Sequence, residues 1–553
     1  MIASLLLILS TSSFGSLKTI AELSEWKKTG RADETERLCK DFAKAYPKDL
    51  LCEIYGKTPE GRNLHALITK GKGPTIWVQA GIHSGEIDGK DAVFFLLREI
   101  FEEKKYPDIL KGIKLVFIPI VNLDGHERFD KWNRPNQVGP EEMGWRTTAQ
   151  NLNLNRDFAK AEAPEMQALI KLWLKMDPIL SLDLHVTDGA QFQPEVGIIT
   201  TTQLQAGKNL EKVLMEKMQV RGRMALPFYP SFEIDDDPKS GFARYVASPR
   251  FSQGYWANQN RIGMLVETHS WKDYATRVKS HHDTVLSVLE IAGKDAKAWV
   301  KEAKGIDQNK LASLDIDLEY KTSGKFKTID FLGYEYSITE SAISGKKVIT
   351  YNPKANQTWK VPLYDELIPS LTMRVPAKGY YIPAQAAFMM KEKLSLHGIR
   401  FEVLKKSQEE EFDHFRAIKT EFSPTPFEGR QTLAVTGEWK KEKTNLVAGS
   451  LFVPIDQPRA RLVMQLLEPR AKDSFLSWGF FNAYFEQKEY MEDYVAEEVA
   501  VEMLKDPKIK EEFDNLLEND EEFEKSPQKR LGFFYQKHSS YDKKFNLYPI
   551  LRQ

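Results

Sequence analysis

Over the first 300 positions, apolar residues gather into short unbroken runs separated by stretches with helical spacing. TIWVQAGI (75–82), KLVFIPIVN (114–122), ILSLDLHV (179–186) and GMLVET (263–268) are apolar on both faces. Central strands of a sheet covered above and below have this pattern. Between them, 89–103 places Val93, Phe94, Leu96, Leu97 and Ile100 at helical intervals, with Asp88 as a predicted N-cap, and 164–176 and 204–219 also read as helices. The alternation over 53–300 predicts an α/β domain built on a mixed, mostly parallel sheet covered by helices.

After residue 300 the period changes. TIDFLGYEYSIT, KKVITYNP and IRFEVL alternate every second residue and are punctuated by Gly, Pro and Asn. A β-rich, sandwich-like module over 301–470 is the expectation. From 471 to 553 the chain turns helical and acidic, predicting an amphipathic C-terminal segment packed on the rest. A total of 553 residues exceeds what one hydrophobic core organises. A helical lead-in is expected over 16–52. Residues 1–15, MIASLLLILSTSSFG, read as a signal peptide cut after Gly15, so the protein is expected to be exported, periplasmic or extracellular. That run is too short to span a membrane, and no other run reaches the ~18 apolar residues a span needs.

Charge and cysteine content refine this picture slightly. Lys plus Arg number 78 against 79 Asp plus Glu, for a net charge of −1, which gives no support to a nucleic-acid or anionic-membrane partner. Nothing in the sequence marks an oligomeric state. The two cysteines, Cys39 and Cys52, have neither metal-ligand nor redox spacing. A disulfide and two buried thiols are both open readings.

The chemistry sits where the strands end. His83-Ser84-Gly85-Glu86 follows the first run directly, and a two-residue spacer lets one turn aim an imidazole and a carboxylate the same way. Both are good Zn²⁺ ligands, although the motif alone is short enough to arise by chance. His185 closes the LSLDLHV run and makes a third candidate ligand. Three protein ligands with one open position form a catalytic zinc site. Glu267 closes the MLVET run. As a fourth ligand it would shut the site, whereas as a general base it could move a proton between water and a leaving amine. In open α/β sheets, ligands bind beyond the carboxyl ends of the strands, where these four residues fall.

With these residues in order, the stretch from about 55 to 288 resembles the carboxypeptidase A-like zinc metallocarboxypeptidases. His83-x-x-Glu86 and His185 are similar to that family's ligands for one zinc ion, and Glu267 to its general base. Asn122-Leu-Asp-Gly125 resembles its Asn-Pro-Asp-Gly turn, with Leu in place of Pro. The resemblance implies that Arg146, in Trp145-Arg146, stabilises the oxyanion. It implies that Asn155 and Arg156, in NLNLNRDF, bind the substrate's terminal carboxylate. It also implies a mobile substrate-binding tyrosine, for which Tyr245 has the matching separation from Glu267, with Tyr255 and Tyr229 as competitors. The expected activity is hydrolysis of the C-terminal peptide bond of peptides or proteins.

The sequence departs from the family at Thr268-His269-Ser270 after the base and at 248–255. Arg250, within the second segment, either pairs with an acidic substrate side chain or braces its loop. Asp235-Asp236-Asp237-Pro238 reads as a turn. Two other readings stand beside the main one: a zinc amidase acting on cell-wall peptides or N-acyl amino acids, and a non-catalytic binding protein. The remaining histidines, including His65, His126, His269, His281 and His282, read as structural or surface.

Overall fold

The computed structural model describes residues 16–553, and the predicted leader over 1–15 lies outside them. Among the described residues, nine strands precede residue 270: β1 Leu50–Lys57, β2 Asn63–Thr69, β3 Thr75–Ala80, β4 Lys114–Ile118, β5 Leu180–Val186, β6 Val196–Thr200, β7 Ala225–Leu226, β8 Phe242–Ala243 and β9 Ile262–Thr268. All except β8 join one sheet in the order β1-β2-β4-β3-β5-β9-β6-β7. The central strands β4, β3, β5 and β9 are parallel, and antiparallel partners flank them. The four apolar runs are those central strands. The helices Asp88–Phe101, Pro164–Met176 and Gln205–Val220 fall within two residues of their predicted ends.

Strand period two sorts the side chains. Ile76, Val78, Leu182, Leu184, Met264 and Val266 enter one core, beneath the helices Asp88–Phe101, Gln205–Val220 and Tyr274–Asp307. The alternate positions Ser181, Asp183 and His185 on β5, and Leu265 and Glu267 on β9, therefore face the opposite side. There Trp77, Val116 and Ile118 pack with the helix Pro164–Met176.

That second core runs on without interruption into the C-terminal half, through Tyr380, Met390, Leu462, Phe475 and Tyr548. The β-rich region holds a two-stranded antiparallel sheet, Asp315–Thr322 with Leu367–Arg374, and a larger six-stranded antiparallel sheet. The order of the six-stranded sheet is Glu402–Val403, Leu451–Pro454, Gly379–Ile382, Leu551–Arg552, Gln408–Phe422 and Leu433–Leu446. The helices Ala384–Leu396 and Ala460–Leu467, the first domain and, from the two-stranded sheet, Ile316, Leu318 and Met373 share one core with the apolar residues of the six-stranded sheet. The tail after the acidic helices returns at 551–552 as a strand of this sheet. An outlying ribbon, Lys327–Glu340 with Lys347–Tyr364, adds to β8 in parallel and buries Phe331 and Trp359 against Phe192, Phe228 and Phe242.

The structure pairs Cys39 with Cys52, tying the helix Ala32–Ala45 to β1. Asp88 departs from its predicted role. Ile87 holds the cap position, and the Asp88 carboxylate turns inward to Arg277, 2.8 Å from Nε. Both side chains are fully buried. A buried guanidinium needs a counter-charge more than a helix start needs one more acceptor. Arg277 also donates to the carbonyls of Val138 and Lys272, at 2.6 Å each, and to Gly139 at 2.8 Å. Asp88→Ala is expected to destabilise the fold by about 3–5 kcal/mol by leaving that charge uncompensated. Urea unfolding monitored by circular dichroism measures this, and an unchanged midpoint would show that the pair contributes nothing.

Candidate metal centre and substrate cleft

Each candidate ligand is delivered by its own local structure. β3 ends at Ala80, and Gly81 turns the chain at a φ of 63°, a left-handed value that favours glycine. His83 and Glu86 then share a tight turn closed by the Glu86 amide on the His83 carbonyl at 2.9 Å. The Ser84 hydroxyl, donating to the Asn122 carbonyl at 2.6 Å, pins this turn to the Asn122–Gly125 segment. Asn122 in turn accepts the Gly125 amide and donates to the Arg146 carbonyl. β5 and β9 run parallel with His185 directly opposite Glu267, so both project from one face at the carboxyl edge.

These elements bring His83, Glu86 and His185 together with their ligating atoms within 4.8 Å of one another, all three buried. Glu86 Oε1 lies 3.0 Å from His83 Nδ1, and Oε2 lies 2.8 Å from His185 Nδ1. Each outer ring nitrogen has a polar neighbour. His83 Nε2 is 3.1 Å from Asn153 Oδ1, an atom that also accepts the Asn155 amide at 3.0 Å and is thereby identified as the carbonyl oxygen. The proton of His83 therefore sits on Nε2, and the lone pair on Nδ1 points at a carboxylate oxygen. His185 Nε2 lies 3.1 Å from Asp183 Oδ2. A lone pair facing a carboxylate is repulsive unless a cation lies between them. Two imidazoles and a carboxylate so presented, each imidazole with a polar group behind it, suit zinc.

The electrostatics follow from burial and these contacts. Burial lowers the His83 imidazole to about 4 against the pull of Glu86, which keeps it neutral. Burial also works against a charge on His185, but Asp183 and Glu86 outweigh it and raise that imidazole. Glu86 is held well below the usual carboxylate range because His83, Arg134 and His185 overcome its desolvation. Glu267 moves the other way. Burial pushes its carboxyl up to about 8, only partly offset by His185. Two carboxylates that act on one another are thus shifted in opposite directions, as an acid–base site requires.

The remaining candidates surround this centre. Arg146 Nη1 is 3.3 Å from Glu86 Oε1. Asn155 and Arg156 lie in the single 3₁₀ turn Leu154–Arg156, and the Arg156 guanidinium rests 4.5 Å from the Phe251 ring centre. Asn155 accepts the Ser252 amide at 3.4 Å, which joins this turn to the 248–255 segment. Tyr245, 44% exposed, lines a cavity of about 380 Å³ with Tyr229, Gln253 and Arg244. The charges of Glu267 and Arg156 act on its hydroxyl in opposite directions. Tyr255 is buried and donates to His397 Nδ1 at 2.8 Å, a packing role. Arg250 is engaged by Asp473, 2.6 Å from Nε, and lies 4.8 Å from the Trp478 ring, so it braces its loop against the C-terminal half. His269 stacks on Phe192 and accepts its amide.

Arg134, Asn153 and Asp183 belong to the site without having been sequence candidates. Arg134 reaches Glu86 Oε1 at 2.9 Å and Asp188 at 3.1 Å, over the space left by the missing side chain of Gly85. Its loop has no motif to mark it. Asp183 did leave a signal, because it is a charged residue inside an apolar strand, two positions before His185 and so on the same face. Asn153 likewise precedes Asn155 by two.

Residues 35–195 match the family model for zinc carboxypeptidases of the peptidase M14 type. The chain carries a zinc carboxypeptidase domain. The matched span contains His83, Glu86, His185, Arg146 and the Asn155–Arg156 pair, while Glu267 lies beyond it. Carboxypeptidase 2 of Trichophyton rubrum is 23% identical over 448 residues, covering 73% of this chain and 73% of that protein. Carboxypeptidase 2 of Trichophyton tonsurans is 21% identical over 432 residues, with the same coverage. Among solved structures, carboxypeptidase A from Helicoverpa armigera aligns with a TM-score of 0.37 and 16% identity, over 50% of this chain and 75% of that one. The family model and these relatives support a zinc metallocarboxypeptidase. Among the described residues, no helix is long and apolar enough to cross a membrane.

The carboxypeptidase domain is expected to bind one Zn²⁺ per chain in calorimetric titration of chelator-treated protein. His185→Ala is expected to abolish that binding near neutral pH. Undiminished stoichiometry and affinity in this variant would exclude His185 as a ligand.

Proposed function

We propose that this metallocarboxypeptidase removes the C-terminal residue of peptides or proteins, with His83, Glu86 and His185 holding one zinc ion and Glu267 as general base. One observation carries the reading: Asn153 bonds both His83 and the Asn155 amide, which sets the Asn155–Arg156 turn one hydrogen bond from the metal donors. A carboxylate receptor fixed to a hydrolytic centre selects the end of a chain.

When bound, zinc supplies a Lewis acid that acidifies water and polarises the scissile carbonyl. The chain's residues do the rest. Arg156 and Asn155 hold the substrate's terminal carboxylate through charge-assisted hydrogen bonds. Glu267, with its raised proton affinity, takes a proton from water and returns it to the departing amine. Arg146 faces the same centre and stabilises negative charge developing on the carbonyl oxygen. Tyr245, which lines the cavity, closes over the bound residue. The cavity it lines receives the terminal side chain. The Cys39–Cys52 disulfide supports an oxidising, exported location.

Arg156→Ala is expected to raise KM for a free-acid peptide by about 10- to 100-fold, the worth of a lost charge-assisted hydrogen bond. Turnover of the C-terminally amidated analogue should change little. Equal losses on both substrates would count against exopeptidase action and favour the amidase reading.

A further inference from the structure

One loop of the C-terminal half reaches the segment that lies behind the candidate metal centre. The long ribbon of that half, Gln408–Phe422 with Leu433–Leu446, is joined by this loop, whose residues 427–430 form a tight turn closed by reciprocal bonds between Phe427 and Arg430. The two residues at its tip, Glu428 and Gly429, have φ values of 49° and 76°. Such a turn ordinarily takes Asn, Asp or Gly at its first left-handed position. Here a glutamate occupies it, and its Oε2 accepts the backbone amide of Asn153 at 2.9 Å. Arg430, on the far side of the turn, pairs with both carboxylate oxygens of Glu162 and anchors the loop independently.

We propose that Glu428 is a positioning residue for the metal centre, through which the C-terminal half sets the orientation of His83. The chain of contacts is short. Glu428 fixes the Asn153 backbone. The Asn153 side chain then receives the Nε2 proton of His83 and the Asn155 amide on one oxygen, holding the imidazole with Nδ1 toward Glu86. Polar partners behind a metal-binding imidazole set its tautomer and ring angle. The same amide bond fixes the start of the turn that carries Asn155 and Arg156, so ligand and carboxylate receptor share one anchor supplied from 275 residues away in sequence.

The proposal rests on His83 being a zinc ligand, and its test separates the two ideas. Zinc affinity is measured by competition with a chromophoric chelator for the full-length wild type, Glu428→Gly, Glu428→Gln and Arg430→Ala. Glycine suits the left-handed tip, so Glu428→Gly preserves the turn and removes only the acceptor. It is expected to weaken zinc binding about tenfold, the lower end for lost outer-sphere partners. Glu428→Gln keeps an oxygen acceptor and should stay within about twofold of wild type. Arg430→Ala loosens the loop's other anchor and should also leave affinity near wild type. Unchanged affinity in Glu428→Gly, or an equal loss in Glu428→Gln or Arg430→Ala, would overturn the proposal. Failure of the wild type to bind zinc would instead overturn the ligand assignment beneath it.

Discussion

A carboxylate almost wholly removed from water must find N–H groups or positive charge for its oxygens. Glu86, 2% exposed, meets that demand with Arg134 and Arg146 at Oε1 and with His185 and the Val186 amide at Oε2, while the His83 imidazole lies 3.0 Å from Oε1. These partners come from the β3 turn, the 128–146 loop and the end of β5. Meeting the needs of one anion therefore draws together the segments that make the site. The cationic surroundings also explain why Glu86 holds its charge while Glu267, as deeply buried but faced chiefly by other carboxylates and a single imidazole, gains proton affinity.

Behind this layer lies a second buried pair on the opposite side of the sheet. Asp88 is two residues past Glu86, and its partner Arg277 begins the long helix that follows the Glu267 strand. Thr268, next to Glu267, donates to Asp88 at 3.2 Å and also contacts the His185 carbonyl. The Glu86 loop, the Glu267 strand and the long helix are thus locked together from behind. Such a brace constrains the separation of Glu86, His185 and Glu267 more tightly than the apolar core, whose contacts are non-directional.

The parts of this arrangement readable from sequence are those governed by local periodicity. Strand runs apolar on both faces announced a covered parallel sheet, and His83, Glu86, His185 and Glu267 were conspicuous because polar side chains closed those runs. Asp88 shows the limit of local reasoning. Its position before a helical run suits a cap, yet a guanidinium 189 residues later claims it. Arg250 had two open readings, and Asp473, 223 residues on, engages it. Arg134 and Glu428 left no mark, because each sits in a loop whose path is set by tertiary contact and not by any repeat in the chain. Beyond residue 300 the alternation announced strands but left what covers them open. Alternation shows that a strand has a buried face, but not whether a sheet, a helix or a neighbouring domain covers it.

That last ambiguity bears on how the two halves are related. Were the C-terminal sheet an independent module, its apolar face would be closed by its own elements, and the contact with the catalytic domain would be wet and polar. Instead one continuous core joins Trp77, Val116 and Trp173 of the first domain to Tyr380, Met390, Leu462 and Phe475 of the second. The chain end returns as a strand to complete that sheet. An interface built like a domain interior holds its two sides in fixed register. Only in fixed register can a carboxylate on one half hold a backbone amide of the other at hydrogen-bond distance. The shared core is therefore the structural condition for Glu428 to reach Asn153 and for Asp473 to hold Arg250, polar contacts that border the Leu154–Arg156 turn.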